Sequence, residues 1–316
     1  MNLPHAVTVA AMTILMPCTA AGSLDDSGVD STTTRLPIGA LISTADIETP
    51  SLIQPAAAGS SNRIPSGTVP IHPRGLAPGP RATRLALWSS LNVAGGVAAY
   101  HQSQAAWGAS NGHFHIKSDW KGDGLAMSDE ASHFFAAYQL SRVMRAGYAW
   151  TGVGDRRARR LGMLEAWLWM LAVEFPLDAY NPEQGFGVSD FLFNTAGVLA
   201  AYEHSRPGAP PPWDVKISVK RSFFTGRSRL IAYTAKQYDD YIYWLTFRPA
   251  QRRWMPLIGI GYATGHDAHP GIRKEIHLGI GASATELGAL VSPAVGRLLR
   301  PLDFFFWNLN TKVAWR

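Results

Sequence analysis

The chain has 316 residues, 47% of them hydrophobic and 16% charged, with a formal net charge of +6. That is ample apolar material for a core, while a single cysteine, Cys18, excludes an internal disulfide and a cysteine-rich zinc site. Positive charge gathers late, with 15 Lys and Arg against 7 Asp and Glu over residues 214–316; without an RNA-binding signature or a helix-turn-helix pattern, this points to a solvated face, a membrane surface or anionic lipid and away from nucleic acid.

Residues 1–21 read as an export signal. The apolar run "AVTVAAMTILMP" has the length of a signal-peptide core, and small residues follow it. Cleavage after Ala21 suits ordinary processing; "ILMPC" also fits a lipoprotein box, which would place lipid on Cys18. Residues 22–82, with eight prolines and no sustained period, read as a linker. From Thr83 the texture turns helical. The spacing predicts four helices over 83–107, 128–149, 154–175 and 190–205, the second and fourth capped by Ser128 and Ser189, with Pro176 ending or kinking the third. Its 15 or so apolar residues, broken by Glu165 and Glu174, fall short of the roughly 20 a bilayer core needs.

After Trp213 the period becomes two. "DVKISVKRSFF", "SRLIAYTA", "YIYWLTFRP", "WMPLIGIGYATG" and "EIHLGIGAS" are five strand-like runs, and "LGALVSPAVGRLLRPLDFFFW" reads as a short helix before the end. The glycines of "GIGYATG" lie in a sheet-like run with no helix after it, so they predict a close backbone contact and no phosphate cradle. The fold expected is α+β: a helical bundle of about four helices over 83–212, then a small antiparallel sheet over 213–316. Five strands cannot close a lipid-facing barrel alone.

The chemistry-bearing residues follow from helical spacing. Asp129 and His133 share a face with Ala136, Ala137 and Leu140; Asp190 and Asn194 share one with Gly197 and Ala201. Small residues beneath a polar pair let helices approach closely and bury the pair. Glu174 sits between apolar neighbours, with Asp178 just beyond Pro176. Buried polar groups are costly unless they satisfy one another, so these groups are expected to meet. Three readings stay open: a structural network; a metal site from Asp129, His133, Glu174, Asp178 and Asp190; or acid/base chemistry by His133, Glu174, Asp190 and Asn194. The loop "HFHIKSDWKGD" adds His113, His115, Asp119 and Asp123, either a weak ligand set or a solvated lid. A nucleophile elbow, P-loop, zinc-protease helix and dinucleotide fingerprint are all missing, and the sequence names no cofactor.

The order Trp107, Phe114-His115, Asp119-Trp120, Asp129-Glu130, His133-Phe134, Glu174, Asp178, Gly185-Phe186, Ser189-Asp190, Asn194 and Gly197 resembles the YfiM-like family of predicted periplasmic lipoproteins, a domain of unknown function. "KISVKRSF", "DDYIYWLTF" and "PLIGIGYATG" extend the resemblance, which covers roughly residues 105–285. A fainter likeness reaches the VanZ-like membrane proteins. Glu130 stands where both usually carry lysine, and the turn before Ser189 lacks the arginine usual in VanZ-like proteins. The resemblance implies a periplasmic, membrane-associated protein with this cluster as the shared feature. The function expected is structural or binding; the alternatives are a metal- or carboxylate-dependent hydrolase acting on an envelope lipid or glycan, and a lipid- or pigment-binding module.

Overall fold

A computed structural model of the chain describes residues 81–117, 126–208, 211–220, 223, 238–249, 255–266 and 272–315. The signal stretch with Cys18, residues 22–80, Asp119, Asp123 and the strand expected in "SRLIAYTA" lie outside the described residues. What is described is mixed helix and sheet, an α+β fold.

Helices α1 (Arg81–Trp107), α2 (Ser128–Trp150), α3 (Asp155–Ala172) and α4 (Val188–His204) come first. Two glycines set how closely they pack. A Cβ on Gly162 of α3 would lie 2.4 Å from the Arg145 backbone nitrogen of α2, and one on Gly197 of α4 would lie 2.3 Å from the Phe134 carbonyl. Glycine therefore lets α2 meet both neighbours at backbone distance. Ala137, Leu140, Met144, Ala166, Trp169 and Val198 fill the space between them. Each large side chain buried there contributes on the order of 1.5–3 kcal/mol. Among the described residues, no helix is long and apolar enough to cross a membrane.

Two expected caps are corrected. Ser128 is the first helical residue of α2, and the residue before it, Met127, is left-handed (φ 67°), as is Ala126 (φ 51°). Gly187 precedes α4 without a side-chain cap, and the Ser189 hydroxyl donates to Glu130 across the helix interface. At Ser189 a tertiary contact outcompetes the local cap; at Ser128 the left-handed turn before it moves the cap position to Met127. Beyond α3 the backbone widens to a π-helical turn (Val173–Asp178), broken at Phe175 beside Pro176 as the proline predicts. A two-residue strand β1 (Ile116–Lys117) pairs in parallel with β2 (Phe186–Gly187), immediately before α4.

The sheet runs β3 (Trp213–Val219), β4 (Tyr241–Phe247), β5 (Leu257–His266), β6 (Ile272–Ser283) and β7 (Phe306–Trp315), antiparallel in that order. Two short helices, α5 (Ala284–Val291) and α6 (Pro293–Leu298), precede β7. The segment expected as one helix is thus two, and the last strand is one that the sequence reading missed. Ile217 of β3 donates its N–H to the Phe304 carbonyl at 2.9 Å, so the sheet curls until its first strand meets the entry to its last. The inner face holds Trp244, whose ring lies over Gly259, Gly261 and Gly279, with Phe306 edge-on at 5.1 Å. The expected close backbone contact is therefore a floor for this indole. On the outer face Leu245, Ile260 and Leu278 form one cross-strand row. Phe247, Ile258, Ile280 and Leu309 form the next, and all seven are exposed.

Candidate functional site

The cluster forms where α2 and α4 touch. Asp129, Glu130 and His133 come from the first turns of α2, Asp190 and Asn194 from the first turns of α4, and Glu174 from the π-helical turn. With Gly197 against Phe134, the residue one turn before the glycine meets the residue next to the phenylalanine: Asn194 Oδ1 lies 3.1 Å from His133 Nδ1. Helical periodicity and one missing side chain are enough to produce this meeting.

The imidazole is held from both edges. Nδ1 lies 3.3 Å from Glu174 Oε1, and Asn194 Nδ2 donates to the same oxygen at 3.0 Å. Nε2 lies 3.5 Å from Asp129 Oδ1, which also accepts a 2.7 Å hydrogen bond from the Tyr238 hydroxyl. Lys117 Nζ sits 3.5 Å from Asp129 Oδ2 and 3.4 Å from Asp190 Oδ2. The Ser189 hydroxyl donates to Glu130 Oε1 at 3.0 Å. Glu174 and Asp190 are buried, while the His133 and Lys117 side chains keep 14% and 17% of their surface, so the group is reachable from solvent on that side.

Among the described residues, the acids Asp129, Glu174, Asp178 and Asp190 are faced by two cations, Lys117 and His133. Burial pushes the Glu174 carboxyl up to about 8, helped by Asp190, Asp178 and Asp129, against the pull of His133. Burial raises Asp178 to about 6 and raises Asp190 as well. Burial alone would lower His133, but Glu174, Asp129 and Asp190 outweigh it and hold the ring near 9. The cluster takes up positive charge wherever it can. Glu174 Oε2 and Asp190 Oδ1 are buried with no hydrogen-bond partner among the described residues.

One oxygen each of Asp129 and Asp190 and a His133 nitrogen lie within 4.8 Å of one another, close enough to share one ion. Glu174 and Asn194 meet Nδ1 instead, so they are placed to orient the ring while Nε2 faces Asp129, the arrangement in which a carboxylate supports a ligand histidine. This narrows the expected metal set of five. Among the described residues the group at ligand spacing is Asp129, His133 and Asp190. Glu174 stands behind the ring, and the Asp178 carbonyl accepts N–H bonds from Asn181 and Gly185.

The histidine pair of the loop does not join. The His115 ring lies over Gly185, whose φ of +91° and 2.9 Å approach require glycine, and His115 Nδ1 meets the His113 carbonyl at 3.1 Å. Lys117 from the same segment enters the cluster instead. One lysine in a loop carries no sequence pattern; its signal is the pairing of its strand with the residues just before α4. Tyr238, 109 positions from Asp129, had no sequence signal at all. No family model, no curated protein and no solved structure matches the chain.

Proposed function

We propose that the protein is a cation-binding protein of the bacterial envelope, its helical unit holding one divalent transition-metal ion between Asp129, His133 and Asp190. The observation that carries this reading is that one oxygen each of Asp129 and Asp190 and a nitrogen of His133 lie within 4.8 Å of one another, and the buried Asp190 Oδ1 meets no hydrogen-bond partner among the described residues. A buried polar atom unmet by a hydrogen bond costs about 1–3 kcal/mol, more when charged, and an ion removes that cost. One imidazole with two carboxylates suits a transition-metal ion such as Zn2+ or, among harder ions, Mn2+ better than Ca2+, which takes six to eight oxygen ligands. Three protein ligands leave a coordination position open, as in metal-assisted hydrolysis, so hydrolysis of an envelope lipid or glycan is the activity this centre would support. The ordered motif of the YfiM-like resemblance supports the envelope location.

In this reading Lys117 is the cation that holds the carboxylates when no ion is bound, and the ion displaces its ammonium. Replacing Lys117 by Met gives the test, read as thermal unfolding and metal content of the full chain with chelator and then with Zn2+ or Mn2+. The variant is expected to be less stable than wild type in chelator and to recover with about one ion per chain. Asp190→Asn is expected to remove the recovery. Stability of Lys117→Met that stays low with every ion tried, with no metal retained, overturns the proposal in favour of a structural network.

A further inference from the structure

A second feature stands apart from the cation centre: the convex face of the sheet. Among the described residues, α2 packs on one side of this face, where Phe135 meets Tyr243 and Tyr262 donates its hydroxyl to the Ala126 carbonyl. Beyond that the two cross-strand rows are bare, and β7 is the most open, with Leu309 81% exposed. The face that would ordinarily seek cover is the one left open, since the inner face already has Trp244 and Phe306 to fill it. Contiguous apolar surface on this scale marks a place where something docks.

We infer that this convex face seats in the hydrocarbon of a lipid bilayer. Three observations favour lipid over a second protein. The first is curvature. The sheet bends until β3 bridges to the entry of β7, so the apolar side is the outside of a bend. A rigid partner touches such a surface along a line, whereas acyl chains conform to it. The second is edge chemistry. Along β7 the outward residues are Trp307, Leu309, Thr311, Val313 and Trp315, with an indole at each end, and Lys274 is the register partner of Trp315. Indoles and lysine at the two borders of an aliphatic band are what a membrane interface selects. The third is length. Trp307 and Trp315 stand about 27 Å apart along an extended strand, which at a tilt of roughly 45° rises about 19 Å, more than the roughly 15 Å of hydrocarbon in one leaflet. The anionic headgroup is the complement of Lys274 and of the basic excess of this part of the chain.

The test uses the full chain carrying Cys18→Ser, so that no acyl group on that residue contributes, with vesicles of phosphatidylethanolamine and phosphatidylglycerol. The protein is expected to float with the vesicles. Brominated acyl chains are expected to quench its tryptophan fluorescence, and a Trp307→Phe, Trp315→Phe double variant should lose most of that quenching. Leu278→Glu with Leu309→Glu is expected to reduce the floating fraction about tenfold or more, without loss of thermal stability in vesicle-free buffer, because both side chains are exposed. Flotation equal in parent and double glutamate variant overturns the inference, as does a parent that does not float. So does a parent that is a dimer in solution and becomes monomeric with the glutamates, which would make the face a protein interface.

Discussion

Among the described residues, a carboxylate cluster among the helices and one in the sheet are opposites. In the sheet a single acid, Glu275, is fully buried among three cations, Lys312 Nζ at 2.5 Å, Lys220 Nζ at 2.8 Å and Arg273 Nη2 at 2.9 Å, with His277 Nε2 at 3.2 Å. Burial alone would raise its carboxyl, but hydrogen bonds and charge from Lys220 and Lys312 pull it down to about 2. Among the helices acids outnumber cations and their carboxyls are driven up. The first cluster is complete within the chain and fastens the sheet. Among the described residues the second holds fewer cations than acids, the arrangement expected of a ligand site rather than a staple.

The largest effect is expected from emptying the complete cluster. Glu275→Gln leaves Lys220, Arg273 and Lys312 crowded without their counter-ion and is expected to cost about 3–5 kcal/mol in urea unfolding. A loss below about 1 kcal/mol would mean that water already screens the group. Lys117→Met follows, at about 1–3 kcal/mol in chelator, and the contrast lies in rescue, since metal restores this variant and leaves Glu275→Gln unchanged.

Acid and base should separate the two clusters next. Glu275 has a depressed carboxyl, so its contribution is present above its unfolded value near 4.5 and is lost as pH falls toward 2. That contribution is on the order of 2–3 kcal/mol, and Glu275→Gln should remove the corresponding step from a plot of stability against pH. Glu174 has a raised carboxyl, so its contribution is present below its unfolded value and is lost as pH rises through about 8. Glu174→Gln should therefore flatten the alkaline side and leave the acid side alone. Identical pH profiles for the two variants would erase the distinction between the clusters. The smallest effect is a control: Glu203→Ala breaks the exposed i,i+3 pair with Arg206 and should change stability by no more than about 0.5 kcal/mol.

Part of this contrast could be read in the chain itself. Asp129 with His133 and Asp190 with Asn194 are four residues apart, and helical repetition turns that spacing into a shared face. Gly197 then signals the close approach that joins the two faces. Glu174 was legible as an acid with greasy neighbours. The rest was hidden for identifiable reasons. Ser128 and Ser189 look like caps locally, but α2 begins from a left-handed turn and Ser189 has a better partner in Glu130. Lys117 and Tyr238 reach the cluster from remote segments, which no periodicity links to it. The last strand alternates Trp307, Leu309, Val313 and Trp315 with Asn308, Asn310 and Lys312, a period of two that the preceding "LDFFFW" run obscured.

The two left-handed residues ahead of α2 carry a consequence for engineering. Alanine and methionine at positive φ each hold the backbone in a conformation that only glycine occupies freely, at a cost of order 1 kcal/mol. Met127→Gly would relax that turn but would also loosen the unfolded chain, and the two effects oppose each other. A site two residues upstream of Asp129 is thus wound against its own preference, and directed evolution for heat tolerance should find position 127 early, with cation affinity the property at risk.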